Sequence, residues 1–298
     1  MSKLVARVGV PALAVLALAG CGSSKSSTAT TTATSGSNGV NAAIAAQVPA
    51  AIKSKGTLNV ATEAQYAPNE FIGPDGHTVI GMDADLMQAL GGLMGLKVNL
   101  INSNFETIIP GLAAGRYDIG ASSFTDTKER EKTVDFVDYF QAGISFYSKA
   151  SANPGVSTVA DLCGKTVAVE KGTTEQEEAT KQSTTCKKEG KKGVDVLSFP
   201  GQNPVNLAVA SGRAELGSAD SPVVAYQIKQ SSGQFKLLCK CYGFAPYGLA
   251  IPKKSGMTTP ILAALKTLMA NGTYTQILRR WGIESGAITT PKINGATS

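Results

Sequence analysis

Few residues in this chain have the types and spacing to do chemistry. Ser123 and Asp220 end two stretches that echo one another, 112–123 and 209–220, which share the pattern apolar-Ala-small-Gly-Arg-x-acid-apolar-Gly-small-small. Gly172-Thr173-Thr174 stands directly before a predicted helix at 175–181, whose first turn offers free N–H groups to an anion. The single histidine, His77, sits in the turn Pro74-Asp75-Gly76-His77, so a histidine-based triad is excluded. Cys239 and Cys241 form a Cys-x-Cys without a second close pair, which is not zinc spacing. No metal and no cofactor is expected.

The echo describes the elements that must hold these residues. Each copy reads as a helix end, a glycine able to take the left-handed conformation (Gly115, Gly212) and a short strand. A weaker echo pairs Thr57-Leu58-Asn59-Val60-Ala61 with Thr166-Val167-Ala168-Val169-Glu170. Helices are predicted at Met82–Met94, with Leu86, Leu90, Leu93 and Met94 on one face, and at 108–114, 175–181, 204–211, 222–230 and 259–270. Strand–helix alternation predicts an α/β fold of two lobes, each a mainly parallel sheet flanked by helices. Ligands of such sheets bind beyond the carboxyl ends of the strands. Ser123 and Asp220 stand at corresponding strand ends, so the echo points at a cleft shared by the two lobes.

The N-terminus has its own logic. Lys3 and Arg7 precede an apolar run, 8–19, which is about 18 Å long as a helix and too short to span a bilayer core of about 30 Å. This is the pattern of a secretory signal, and Leu18-Ala19-Gly20-Cys21 resembles the lipobox of bacterial lipoproteins. Cys21 is then the lipidated first residue of the mature chain. The stretch 22–39 is Ser, Thr, Ala, Gly and Asn with Lys25 its only charge, and reads as a flexible linker with a typical reach of about 25 Å. Loss of Lys3 and Arg7 lowers the formal charge from +6 to +4. With no basic stripe interleaved with aromatics, nucleic acid is not an expected partner. Export puts Cys163, Cys186, Cys239 and Cys241 in an oxidising compartment. Of the three connectivities we favour Cys163–Cys186, stabilising by roughly 3 kcal/mol, which leaves Cys239 with Cys241 in a short, strained bridge.

Gly81-Met82-Asp83-Ala84-Asp85-Leu86 resembles a signature of the polar amino-acid-binding proteins of ABC transporters, extracellular solute-binding proteins of family 3 with the type II periplasmic-binding fold. The likeness continues through Tyr66-Ala67-Pro68, Ser122-Ser123-Phe124-Thr125 with Lys128-Glu129-Arg130, Gly172-Thr173-Thr174, Asp220 and Asn271-Gly272-Thr273-Tyr274, over about residues 55–284. It implies that Arg130 grips a ligand carboxylate bidentately, with Thr125, Thr173 and Thr174 around it. Asp220 would accept from the ammonium with Ser122 and Ser123 nearby, and Tyr66 and Phe105 would cover the apolar part. The bland alternatives are a surface arginine in a charged helix start and an aspartate that only caps a helix. Asn69 stands where the family has an aromatic, which should make one wall more polar. Glu63, Glu170 and Glu175 fall near the expected side-chain pocket. If buried they need a cationic partner, which suggests a basic amino acid; if solvated at the mouth they carry no such message.

The implied protein is a monomeric, non-enzymatic binding lipoprotein on the extracytoplasmic face of the cell membrane, which hands its ligand to a permease. The expected divisions are 1–20 signal, 21–49 lipidated end and linker, 55–146 plus 248–286 lobe 1, 149–245 lobe 2, and 287–298 tail. The chain should cross between lobes near 145–149 and 244–248 and close as a hinge. A sensor role, or cyclohexadienyl-dehydratase-like turnover with Glu170 or Glu175 as acid, are the alternatives.

Overall fold

The computed structural model describes residues 39–296, so the signal segment, Cys21 and nearly all of the linker lie outside the described residues. Two short helices come first, α1 (Ala42–Gln47) and α2 (Ala50–Lys55). The Asn41 side chain caps α1 by accepting from the N–H groups of Ala43 and Ile44 at 3.1 and 3.2 Å. Ile44 and Val48 are buried in the largest core cluster. The linker therefore does not extend to residue 49 as expected, because two apolar residues four places apart give this segment a face to bury.

Strand β1 (Thr57–Thr62) leads into a small antiparallel sheet of β2 (Gln65–Tyr66), β3 (Glu70–Ile72) and β4 (Val79–Ile80). Then come α3 (Met82–Met94), β5 (Lys97–Asn102), α4 (Phe105–Ala113), β6 (Ile119–Thr125) and the long β7 (Val134–Lys149). The second half follows: β8 (Thr166–Glu170), α5 (Thr174–Lys188), β9 (Asp195–Phe199), α6 (Gln202–Ser211), β10 (Leu216–Asp220), α7 (Ser221–Gln230) and β11 (Phe235–Leu237). The chain returns through β12 (Tyr242–Pro252) to α8 (Thr258–Ala270) and α9 (Thr273–Trp281).

The main sheet runs β5-β1-β6-β12-β7-β10-β8-β9, with β11 beside β7. Its two ends are parallel blocks built alike. β1 lies between β5 and β6, and β8 lies between β9 and β10. Both echoes in the sequence map onto this equivalence, since β1 matches β8 and β6 matches β10. The antiparallel strands β7 and β12 join the blocks. The partner of β7 changes from β12 to β10 around Ile144, and β12 shifts register against β7 between Tyr242 and Ala245 and between Tyr247 and Gly248.

The predicted stripe Leu86, Leu90, Leu93 and Met94 of α3 is buried in one core with Leu58, Val60, Leu249 and Leu265. Burial of each such side chain contributes about 1.5–3 kcal/mol. The helix predicted at 175–181 runs on to Lys188. Its buried face is only Ala179, Ser183 and Cys186 beyond Glu175, too little apolar periodicity to read from sequence. Cys186 is bonded to Cys163 as expected, which ties α5 to the turn before β8. Cys239 and Cys241 are not bonded to each other, contrary to expectation. They lie in the non-strand connection between β11 and β12, where residues two apart do not share a face. Cys239 is buried, with its Sγ accepting from the Phe146 N–H at 3.4 Å, while Cys241 is exposed. The C-terminal residues expected as a tail also pack. Ile293 bridges Val137, Asn294 Oδ1 accepts from the Phe136 N–H at 2.7 Å, and Ala296 is buried.

Candidate functional site

The side chains singled out by sequence converge at the ends of the parallel strands. Glu63 follows β1, Ser122, Ser123 and Thr125 end β6, Glu170 ends β8, and Asp220 ends β10 at the N-cap position of α7, where its side chain makes no capping bond. Phe105 opens α4, Arg130 opens a 3-10 turn, Thr173 caps α5 and Thr174 is its first residue. All of them, with Tyr66 of β2, line one cleft between the two blocks. Glu70 and Glu175 complete its wall. Asn69 does not belong to it. Its side chain is wholly buried elsewhere with both amide atoms unpaired, so the expected polar wall is not made by this residue. His77 is exposed in its turn, its N–H donating to Asp75 Oδ1.

Arg130 reaches across the cleft. One terminal nitrogen donates to Thr125 O at 2.8 Å and the other to Gly172 O, in the opposite block, at 2.9 Å. The guanidinium also lies over the rings of Phe105 and Phe124, 5.4 and 5.7 Å from their centroids. Two of its five N–H donors are thus held by carbonyls, which fixes the plane of the fork and leaves donors for an anion. Burial lowers its pKa, and the charges of Glu177, Glu175, Asp220 and Asp126 oppose that. Gly172 makes the approach feasible: it has φ 82°, and a Cβ there would sit 2.8 Å from Glu106 Cβ. A second link between the blocks joins Tyr66 and Asp220. The Tyr66 hydroxyl donates to Asp220 Oδ2 at 2.9 Å and accepts from the Asp220 N–H at 3.1 Å.

Behind Ser122 and Ser123 is a buried acidic network. Ser122 Oγ accepts from the Glu63 N–H at 2.9 Å and donates to Glu70 Oε1 at 3.0 Å. Ser123, at φ 47°, donates its N–H to Asp83 Oδ2 at 2.7 Å, and Tyr139 donates to Asp83 Oδ1 at 2.6 Å. These bonds hold a backbone conformation that a non-glycine residue rarely adopts. Asp83 of the Gly-x-Asp-x-Asp motif is therefore a support for the site and not part of its wall. Gly81 before it has φ 130°, with the Asn69 carbonyl 2.2 Å from where a Cβ would be. Sequence reasoning missed Glu70. The available signal was an acid heading the otherwise apolar Glu70-Phe71-Ile72.

Carboxyls dominate the cleft. Glu63, Glu70, Glu170, Glu175 and Asp220 line it, and among the described residues Arg130 is the one basic side chain of its lining. None stands solvated at the mouth: Glu63, Glu170 and Glu175 are only 2%, 3% and 3% exposed. Burial, above all, raises Glu63 to about 7, Glu175 to about 8 and Asp220 to about 6. Glu170 and Glu70 are pushed well above the usual carboxylate range by burial and then by neighbouring acids, Glu63 and Asp83 respectively. Glu170 Oε1 and Glu175 Oε1 have no hydrogen-bond partner. Such a site can hold one anionic group at Arg130 and the first turn of α5, and has acceptors for more than one cationic group.

A cleft of this form, between like parallel blocks joined by two crossing strands, is that of a two-lobed solute-binding protein. The chain belongs to the bacterial extracellular solute-binding proteins, family 3, whose model matches residues 58–284. The arginine-binding protein ArgT of Corynebacterium glutamicum is 36% identical over 252 residues, covering 84% of this chain and 82% of that protein. Two solved structures of an ancestral arginine-binding protein are each 32% identical to it. The one bound to arginine has a TM-score of 0.69 and covers 76% of this chain and 98% of that one. The one bound to glutamine has a TM-score of 0.70 and covers 77% and 99%. The fold is the type II periplasmic-binding fold expected from the motifs.

Proposed function

We propose that this chain is the capture component of an amino-acid importer and that its ligand is a basic amino acid. The observation that carries the ligand class is the cleft's surplus of buried carboxyls over its single guanidinium. In this reading Arg130 takes the α-carboxylate, with the Thr125 hydroxyl and the N-terminus of α5 at Thr173 and Thr174 as further donors. Asp220 takes the α-ammonium beside Ser123. Tyr66 and Phe105 flank the aliphatic chain. Glu63 and Glu170 receive the terminal ammonium or guanidinium, which partners charges that burial otherwise leaves unpaired. Relatives named as arginine-binding support the same class.

Capture is hinge closure. The lobes are about 55–146 plus 248–286 and 149–245, and flexing falls on β7 and β12, where β12 shifts its register. Arg130–Gly172 and Tyr66–Asp220 then form only in the closed state. The protein works as a monomer tethered through a lipid on Cys21 at the outer face of the cell membrane. The Ser/Thr-rich linker keeps it near its permease at high effective concentration. Calorimetry of the full chain against the twenty amino acids and ornithine tests the reading. Arginine, lysine or ornithine should bind with micromolar affinity, about −8 kcal/mol. Binding of none of the amino acids refutes it.

A second reading rests on Glu175, a buried carboxyl held up to about 8 near Arg130 and so available as an acid. It makes the chain a dehydratase of the cyclohexadienyl type. Turnover of prephenate or arogenate would establish it, and its absence leaves binding as the function. A sensor role uses the same closed form and differs only in the partner that reads it.

A further inference from the structure

The cleft contains more acids than its ligand can neutralise, and their positions say what must happen to the difference. The first lobe contributes Glu63, Tyr66 and Glu70, with Asp83 and Tyr139 behind Glu70 and Glu106 beside Phe105. The second contributes Glu170, Glu175 and Asp220, with Glu177 further along α5. The facing cation is Arg130, and Lys171 is engaged with Glu106 at 3.5 Å. Tyr247 is buried near Asp220. Glu170 and Glu175 line this space with 97% of each residue buried, and Oε1 of each is buried without a hydrogen-bond partner. In the closed cleft these carboxyls cannot all be ionised without a cation between them.

We propose that the chain captures its cationic ligand by proton exchange: in the closed cleft the ligand's side-chain charge takes the place of a proton otherwise shared among Glu63, Glu170 and Glu175, which is released to solvent. This rests on the basic amino-acid reading above and adds its regulation. Closed without that charge, the cleft stays near neutral only by retaining protons on its carboxyls, and the ligand replaces one of them with a cation that also supplies hydrogen-bond donors. Burial raises Glu63 to about 7 and Glu175 to about 8 and pushes Glu170 well above the usual carboxylate range, so the exchange operates in the working range of an envelope protein. Retention then depends on pH. For one proton released, affinity falls about tenfold for each pH unit of acidification. A neutral ligand of similar size, which needs no counter-charge, releases fewer protons and is retained more evenly.

The test is calorimetric titration of the full chain with arginine at pH 7 in phosphate and in Tris, two buffers whose ionisation heats differ widely. The difference in observed heat counts protons. We expect about one proton released per arginine, fewer for glutamine if it binds, and an arginine Kd about tenfold weaker at pH 6 than at pH 7. Glu170→Gln removes one exchangeable site and should lower the count for arginine. Firm arginine binding with equal heats in both buffers overturns the exchange and leaves the basic-ligand reading standing. Equal proton counts for arginine and glutamine also overturn it. Heat from neutral amino acids alone overturns the underlying ligand class, an outcome distinct from the other two.

Discussion

Replacing Arg130 by alanine should abolish useful binding, and the structure says by how much. The substitution removes the only guanidinium in the cleft and strands the ligand carboxylate among buried acids. Loss of one partner from a buried ion pair costs roughly 3–5 kcal/mol, or about 100- to 4,000-fold in Kd at 1.4 kcal/mol per decade. A second loss acts on the hinge. Arg130 holds Gly172 O at 2.9 Å across the cleft, and a bond to a charged group contributes about 1.5–3 kcal/mol, so the variant should also close less readily. Arg130→Lys separates the two effects. It keeps the charge but cannot hold two carbonyls and a carboxylate from one planar fork, so its affinity should fall between the other two. Calorimetry with arginine measures all three proteins, and circular dichroism confirms that each is folded. Affinity within a few-fold of the parent for Arg130→Ala would refute the assignment of Arg130 as the grip on the ligand carboxylate.

Four further outcomes are expected. Glu63→Gln should weaken arginine more than glutamine in the same titration, and equal weakening would remove Glu63 from side-chain recognition. Gly172→Val introduces a Cβ 2.8 Å from Glu106 Cβ at φ 82°, so the variant should bind at least tenfold more weakly while small-angle scattering with ligand stays at the open dimensions. Stability without ligand should fall as pH rises from about 5 to 8. Glu63, Glu175 and Asp220 have folded pKa values raised to about 7, 8 and 6, and Asp126 and Asp138 under the C-terminal residues are raised to about 8 and 6. The folded state therefore binds more protons than the unfolded one across that window, which gives stability a negative slope with pH; thermal melts should show it, and arginine should raise Tm more at pH 8 than at pH 6. Finally, a thiol reagent without reductant should modify Cys241 readily and Cys239 only after unfolding, whereas reduction of Cys163–Cys186 should lower stability by roughly 3 kcal/mol.

What the sequence determined by itself was the repeated pattern and the chemistry at its ends. Periodicity placed the buried face of α3, and glycines marked the helix ends before β6 and β10, because these signals are local. The motifs carried the family and most of the cleft wall, since strand ends in parallel blocks have few ways to meet. Local signals failed where stability comes from other parts of the chain. Helix α1 and the C-terminal residues follow or end stretches without a clear periodic signal, and their order appears only when Ile44, Val48 and Ala296 find a place to be buried. Cys239 and Cys241 read as a pair, and only the irregular connection between β11 and β12 turns one inward and the other out. The charge state of the cleft was the last thing to emerge. A glutamate in a sequence is an ordinary anion, and Glu63, Glu70, Glu170 and Glu175 become reluctant to ionise only when folding removes water from all of them together and sets them against one another.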